Sequence, residues 1–120
     1  MGYNKRCIAF DFDGVLAVYD GYRGPTVLGD PMPGVLELVT ELIARGLEVI
    51  VFTVRDAGAV LDWLAEHGFP LLEVTNMKLG KVSVFLDDRA VCFDPIQMQV
   101  LATDRYADYL CGFQPHWKRG

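Results

Sequence analysis

The sequence predicts an α/β fold, a doubly wound (Rossmann-like) three-layer sandwich around a mainly parallel central sheet, on three observations. Short apolar runs of strand length recur along the chain. Amphipathic, helix-period stretches lie between them. Each apolar run stops at a polar residue of the kind that gathers at one edge of such a sheet.

The apolar runs are Cys7-Ile8-Ala9-Phe10, Glu48-Val49-Ile50-Val51-Phe52 and Val82-Ser83-Val84-Phe85-Leu86. They are rich in β-branched and aromatic residues and mostly do not alternate, as expected of central strands covered on both faces. Pro33-Gly34 opens a helical segment carrying Val35, Leu36, Val39, Leu42 and Ile43, closed by Gly46. A second runs from about Asp56 to His67, with Val60, Leu61 and Leu64 on one side and Gly68 at its end. A third follows Asp94-Pro95, where Asp94 suits an N-cap and Pro95 the first helical position. Its apolar residues are Ile96, Val100 and Leu101, extending toward Tyr106 to Leu110. Residues 18–33, with three glycines and three prolines, read as a loop or small hairpin around Asp20-Gly21. A segment of that length without regular structure points to function.

With 120 residues, about half of them apolar, the chain suits a single domain over 1–120 with a real core. The net charge of −5 disfavours a dedicated nucleic-acid binder, although a local basic patch is compatible with it. No apolar stretch approaches the roughly 20 residues that span a bilayer. The basic start is followed by an apolar run too short for a signal peptide, so the reading is a cytoplasmic protein without a membrane partner. Cys7, Cys92 and Cys111 sit in apolar contexts without CxxC spacing, which predicts buried thiols rather than disulfides or zinc ligands.

The polar residues at the strand ends carry the functional reading. The first run ends at Asp11, followed by Asp13; the second ends at Thr53, the third at Asp87-Asp88. In open α/β sheets ligands bind beyond the carboxyl ends of the strands, so adjacent parallel strands would converge these groups on one spot. Clustered carboxylates repel unless a cation sits among them. Oxygen-only ligands favour a hard ion, magnesium first. An Asp-x-Asp-Gly alone is more often a turn, and an Asp-Asp pair more often a solvated cap. The joint pattern, each member at a strand terminus, is the signal.

These residues resemble the haloacid dehalogenase superfamily in its phosphatase branch. Its first motif is matched by Ile8 to Val15 (IAFDFDGV), its second by Val51-Phe52-Thr53, and its fourth by Val84-Phe85-Leu86-Asp87-Asp88. The third, a lone lysine upstream of the fourth, is assigned to Lys78, with Lys81 as the rival. Lys81 adjoins the start of its strand, which would put it at the far edge from the site. The resemblance covers most of residues 7–94. It implies a Mg2+-dependent phosphatase in which Asp11 is the nucleophile and forms an aspartyl-phosphate. Asp13 would be the acid/base and offer its backbone carbonyl to the metal. Thr53 and Lys78 would hold phosphoryl oxygens; Asp87 would ligate the metal, with Asp88 behind it. An acid at Asp13 implies phosphoryl rather than carbon-halogen chemistry.

Arg55, Asn76 and Arg89 are candidate substrate-binding residues, and Tyr19 and Tyr22 candidate stacking residues. Superfamily members often carry a cap domain; here the insertion points hold only residues 18–33 and 71–81, so the chain reads as capless. An uncovered site implies a large phosphorylated substrate or a lid lent by another subunit. Phe113 and Trp117, read as exposed, keep a homo-oligomer open. Three alternatives stand beside the phosphatase: a polynucleotide-end 3′-phosphatase, a phosphotransferase, and a non-catalytic phosphate- or partner-binding module.

Overall fold

A computed structural model of the chain describes residues 6–100 and 103–118. Two compact units divide between Asp87 and Asp88. The first holds all four strands, β1 (Cys7–Asp11), β2 (Glu48–Phe52), β3 (Glu73–Thr75) and β4 (Val82–Leu86), in one sheet of order β3-β2-β1-β4. Every pairing is parallel. With helices α1 (Val35–Ala44) and α2 (Ala57–Glu66) between strands, this is the expected Rossmann-like α/β architecture. No helix of the described residues is long and apolar enough to cross a membrane.

The strand faces divide by residue parity. Ile8, Phe10, Val49 and Val51 face one side and join Val35, Val39, Val60, Trp63 and Leu64 of α1 and α2 in a single core. Cys7, Ala9 and Ile50 face the other, with Phe52, Leu79 and Val82 packed on them. Both helices therefore cover the same face.

Helix ends follow local chemistry. Asp56 caps α2 by accepting from the Ala59 N–H at 2.9 Å. Gly68, at φ 78°, turns the chain back so that the Phe69 N–H reaches the Leu64 carbonyl at 2.9 Å. The buried stripe of α2 is Val60, Trp63 and Leu64 rather than the expected Val60, Leu61 and Leu64; Leu61 is on the exposed rim. Trp63 stands three residues after Val60, on the core-facing stripe, and its ring fills the space against Phe12 and Phe69, at 4.8 and 5.4 Å between centroids. Strand β3, three residues long at the sheet edge, was not among the apolar runs because it is short and half-exposed.

In the second unit the described residues after Pro95 form α3 (Pro95–Val100) and α4 (Thr103–Gly112), followed by a 3₁₀ turn at His116–Lys118. Leu101, expected within one continuous helix, lies outside the described residues. Asp94 caps as expected, accepting from the Ile96 N–H at 2.9 Å. Cys92 and Cys111 are exposed, whereas burial was expected of all three thiols; Cys7 is buried. Apolar neighbours in sequence put Cys7 on a strand face but left Cys92 in an irregular segment and Cys111 on an outer face of α4. Trp117 and Phe113 are half-buried rather than exposed: the Trp117 indole N–H donates to Asp88 Oδ2 at 2.6 Å, and Phe113 meets Tyr109 edge-on.

Candidate active site at the carboxyl edge of the sheet

Parallel pairing aligns the strand ends. In the β1–β2 register Asp11 is opposite Phe52, so Thr53 is the next residue beyond it. On the other flank Phe10 pairs with Leu86, which places Asp87 beside Asp11 at the adjoining end of β4. A carboxylate oxygen of Asp11 and one of Asp87 lie within 4.8 Å of each other. Asp88 is the next residue along the chain. Its Oδ2 takes the Trp117 indole N–H, while its Oδ1 is buried and has no hydrogen-bond partner among the described residues.

The turn after β1 is built by backbone hydrogen bonds. Phe12 offers its carbonyl to the N–H groups of Leu16 and Ala17 at 3.0 and 2.9 Å, and the Gly14 N–H returns to the Ala17 carbonyl at 2.8 Å. Gly14 sits at φ 85°, a conformation glycine adopts without the Cβ penalty. The Phe12 N–H donates to Asp11 Oδ1 at 2.9 Å, fixing the orientation of that carboxylate.

Asp13 is held by Arg55. Its two carboxylate oxygens accept from Arg55 Nε at 2.8 Å and Arg55 Nη2 at 3.2 Å, a bidentate pair linking the β1 turn to the end of β2. Arg55 also donates from Nη1 to the Gly24 carbonyl at 2.9 Å, and its guanidinium lies 5.1 Å from the centre of the Tyr22 ring. With its side chain only 6% exposed, Arg55 is a tie between Asp13, the 18–33 loop and β2. Hydrogen bonding to Asp13 raises its pKa above the ordinary arginine value, against an opposing effect of burial. Tyr22, a candidate stacking residue, has its ring against the Arg55 guanidinium.

The 18–33 loop folds back on itself, with its turn closed by the Val27 N–H on the Gly24 carbonyl at 3.4 Å rather than around Asp20-Gly21. Ala17 bridges Pro31, the Val18 N–H donates to the Asp30 carbonyl and the Met32 N–H to the Leu16 carbonyl, both at 2.8 Å. The loop is anchored on α2 by the Trp63 indole N–H, which donates to the Gly29 carbonyl at 2.8 Å. Residue reading from the sequence assigned Trp63 no such role; an indole inside an amphipathic helix stripe, needing a partner for its N–H, was the available signal.

The two lysines separate clearly. Lys81 donates to Glu48 at 2.8 Å and Glu73 at 3.1 Å, at the first residues of β2 and β3 and so at the edge opposite Asp11. Those two hydrogen bonds push its pKa up. Lys78 lies over the ring of Phe85 of β4, with its ammonium 5.4 Å from the centroid. Thr53 is buried, and its hydroxyl oxygen accepts from the Arg55 N–H at 3.1 Å. Asn76 lines a cleft with Thr53 and Arg55. Arg89 follows Asp88 in the second unit.

The fold has counterparts among solved structures. A conserved protein from Bacteroides thetaiotaomicron matches 92% of this chain and all of its own, at 23% identity and TM-score 0.56. A structural-genomics target from Vibrio cholerae matches 88% of this chain and 96% of its own, at 19% identity and TM-score 0.51. At these identities the likeness is one of fold. No family model and no curated protein sequence matches the chain.

Proposed function

We propose that the chain is a magnesium-dependent phosphate-ester hydrolase acting through Asp11 as nucleophile. The observation that carries this reading is the meeting of the Asp11 and Asp87 carboxylates at the adjoining ends of β1 and β4, with Thr53 at the end of β2.

The donor set suits Mg2+: it is all oxygen, it brings two carboxylates together, and the partnerless Oδ1 of Asp88 follows directly in sequence. As the resemblance implies, Asp11, Asp87 and the Asp13 backbone carbonyl would hold the ion, with Asp88 behind Asp87. Bound there, Mg2+ offsets the repulsion between an anionic nucleophile and an anionic phosphate.

The remaining chemistry belongs to the chain. Asp11 attacks phosphorus and the ester oxygen leaves, giving an aspartyl-phosphate; water then releases phosphate and restores the carboxylate. The hydrogen bond from the Phe12 N–H orients the Asp11 carboxylate. Asp13 donates the proton to the leaving oxygen and later takes one from the attacking water, a role worth about a hundred- to ten-thousand-fold. Arg55 fixes where that carboxylate stands. Thr53 and Lys78 hold the phosphoryl oxygens.

Purified protein with Mg2+ should release phosphate from an aryl phosphate, and Asp11→Asn should abolish the release. Asp13→Asn should lose turnover yet retain Mg2+ affinity, whereas Asp87→Asn should lose affinity. Absence of turnover across a broad panel of phosphate esters would sink the hydrolase reading in favour of a phosphate-binding module.

A further inference from the structure

A cleft of about 410 Å³ opens beside the proposed phosphoryl site, at the carboxyl ends of β2 and β3 and the start of α2. That volume is in the range of small-molecule sites. Its polar lining is Thr53, Arg55, Asp56, Thr75 and Asn76. Thr53 belongs to both places, so a group bonded to a phosphoryl held at Thr53 would enter this cleft.

The chemistry of the lining restricts that group. Thr53 and Thr75 use their hydroxyl oxygens as acceptors, from the N–H groups of Arg55 and Met77, each at 3.1 Å, which leaves both O–H protons to donate. The Asn76 amide makes no hydrogen bond among the described residues and offers both a donor and an acceptor. Asp56 commits Oδ2 to its helix cap, leaving Oδ1 as an acceptor. The wall is thus a set of neutral donors and acceptors with one carboxylate. Among the described residues the one cation in it, Arg55, is already paired with Asp13. A second anionic group would meet Asp56 with no free positive charge to offset it. Among the described residues no aromatic ring lines the cleft, so a nucleobase would find no ring to stack on.

We infer that this cleft is the leaving-group subsite and that it takes a neutral polyol, making the substrate a sugar- or polyol-type monophosphate rather than a nucleotide or a bisphosphate. The inference rests on the phosphohydrolase reading above and adds the substrate class to it.

Calorimetric titration of the Asp11→Asn protein with Mg2+ tests it, because turnover is blocked. The ligands are inorganic phosphate, glucose 6-phosphate, fructose 1,6-bisphosphate and adenosine 3′-monophosphate. Glucose 6-phosphate should bind at least ten-fold more tightly than inorganic phosphate, and more tightly than the nucleotide or the bisphosphate. Adding Thr75→Val, or separately the exposed Asn76→Ala, should bring the ratio of glucose 6-phosphate to phosphate affinity down toward one. Melting curves of both double variants establish that they are folded. Equal affinities for phosphate and glucose 6-phosphate, tighter binding of the nucleotide or bisphosphate, or a ratio unmoved by both changes would overturn the subsite alone. If no phosphate compound binds and wild-type protein with Mg2+ releases phosphate from none of these esters, the hydrolase reading falls and takes this inference with it.

Discussion

At the scale of single residues, the pair between Asp13 and Arg55 organises the site. It joins positions 42 residues apart, and the Arg55 side chain is 6% exposed against 23% for Asp13. Truncating one partner of such a pair leaves the other's charge poorly compensated, which costs more than the pair itself contributes. Arg55→Ala should therefore destabilise the protein by roughly 2–3 kcal/mol, a figure below the deep-burial range because Asp13 is partly wet. Arg55→Lys keeps the charge but not the fork, and should recover less than half of the loss. Denaturant melts of the three proteins read this, and an Arg55→Ala midpoint equal to wild type would remove the pair from the account. Residue reading found Arg55 because it follows Thr53, but assigned it to substrate. A guanidinium three residues past a strand end is legible as a nearby cation; its partner is set by the turn after β1, which brings in Asp13 from outside any local window.

Among the elements, the 18–33 hairpin depends on one close backbone approach. A Cβ placed on Gly29 would lie 1.9 Å from the Val18 carbonyl oxygen, where backbone rather than a flexible side chain would have to give. Gly29→Ala should part the two arms of the hairpin, costing roughly 1–3 kcal/mol. Amide exchange at Val18 and Met32, whose N–H groups pair across the base, should accelerate. Gly80→Ala is the matched control: nothing stands within 4 Å of its Cβ position, so it should leave stability within about 0.5 kcal/mol. Unchanged exchange in Gly29→Ala would mean that the approach is not a constraint. The helices α1 and α2 were legible because apolar periodicity and closing glycines agreed with one another. Strand β3 exists only by virtue of pairing with β2, a tertiary fact that three half-exposed residues do not announce.

Across the molecule, the sheet sorts its polar groups by edge, and the buried thiol of Cys7 reports on the edge opposite the site. Acidic ends of β1 and β4 stand at the carboxyl side; at the other, Lys81 joins Glu48 and Glu73 beside the start of β1. Cys7 is fully buried on the face of the sheet that α1 and α2 leave to other residues. Burial is the largest cause of a raised thiol pKa there; Glu48 adds to it, and Lys81 opposes. Reaction with an alkylating reagent needs the thiolate and access to it, and Cys7 has neither. Native protein at pH 8 should label at the exposed Cys92 and Cys111, while Cys7 reacts only at the rate of opening; in denaturant all three should react alike. The same shift has a sign for stability. Below the ordinary thiol range both folded and unfolded chains hold the proton, so no dependence arises. Above it the unfolded chain releases the proton first, and stability falls as pH rises until the folded value is passed. Cys7→Ala should remove that alkaline slope, read as the difference between the two proteins' melting temperatures at pH 7.5 and pH 10. Labelling of native Cys7 as fast as Cys92, or parallel pH profiles for the two proteins, would contradict its burial against this face of the sheet.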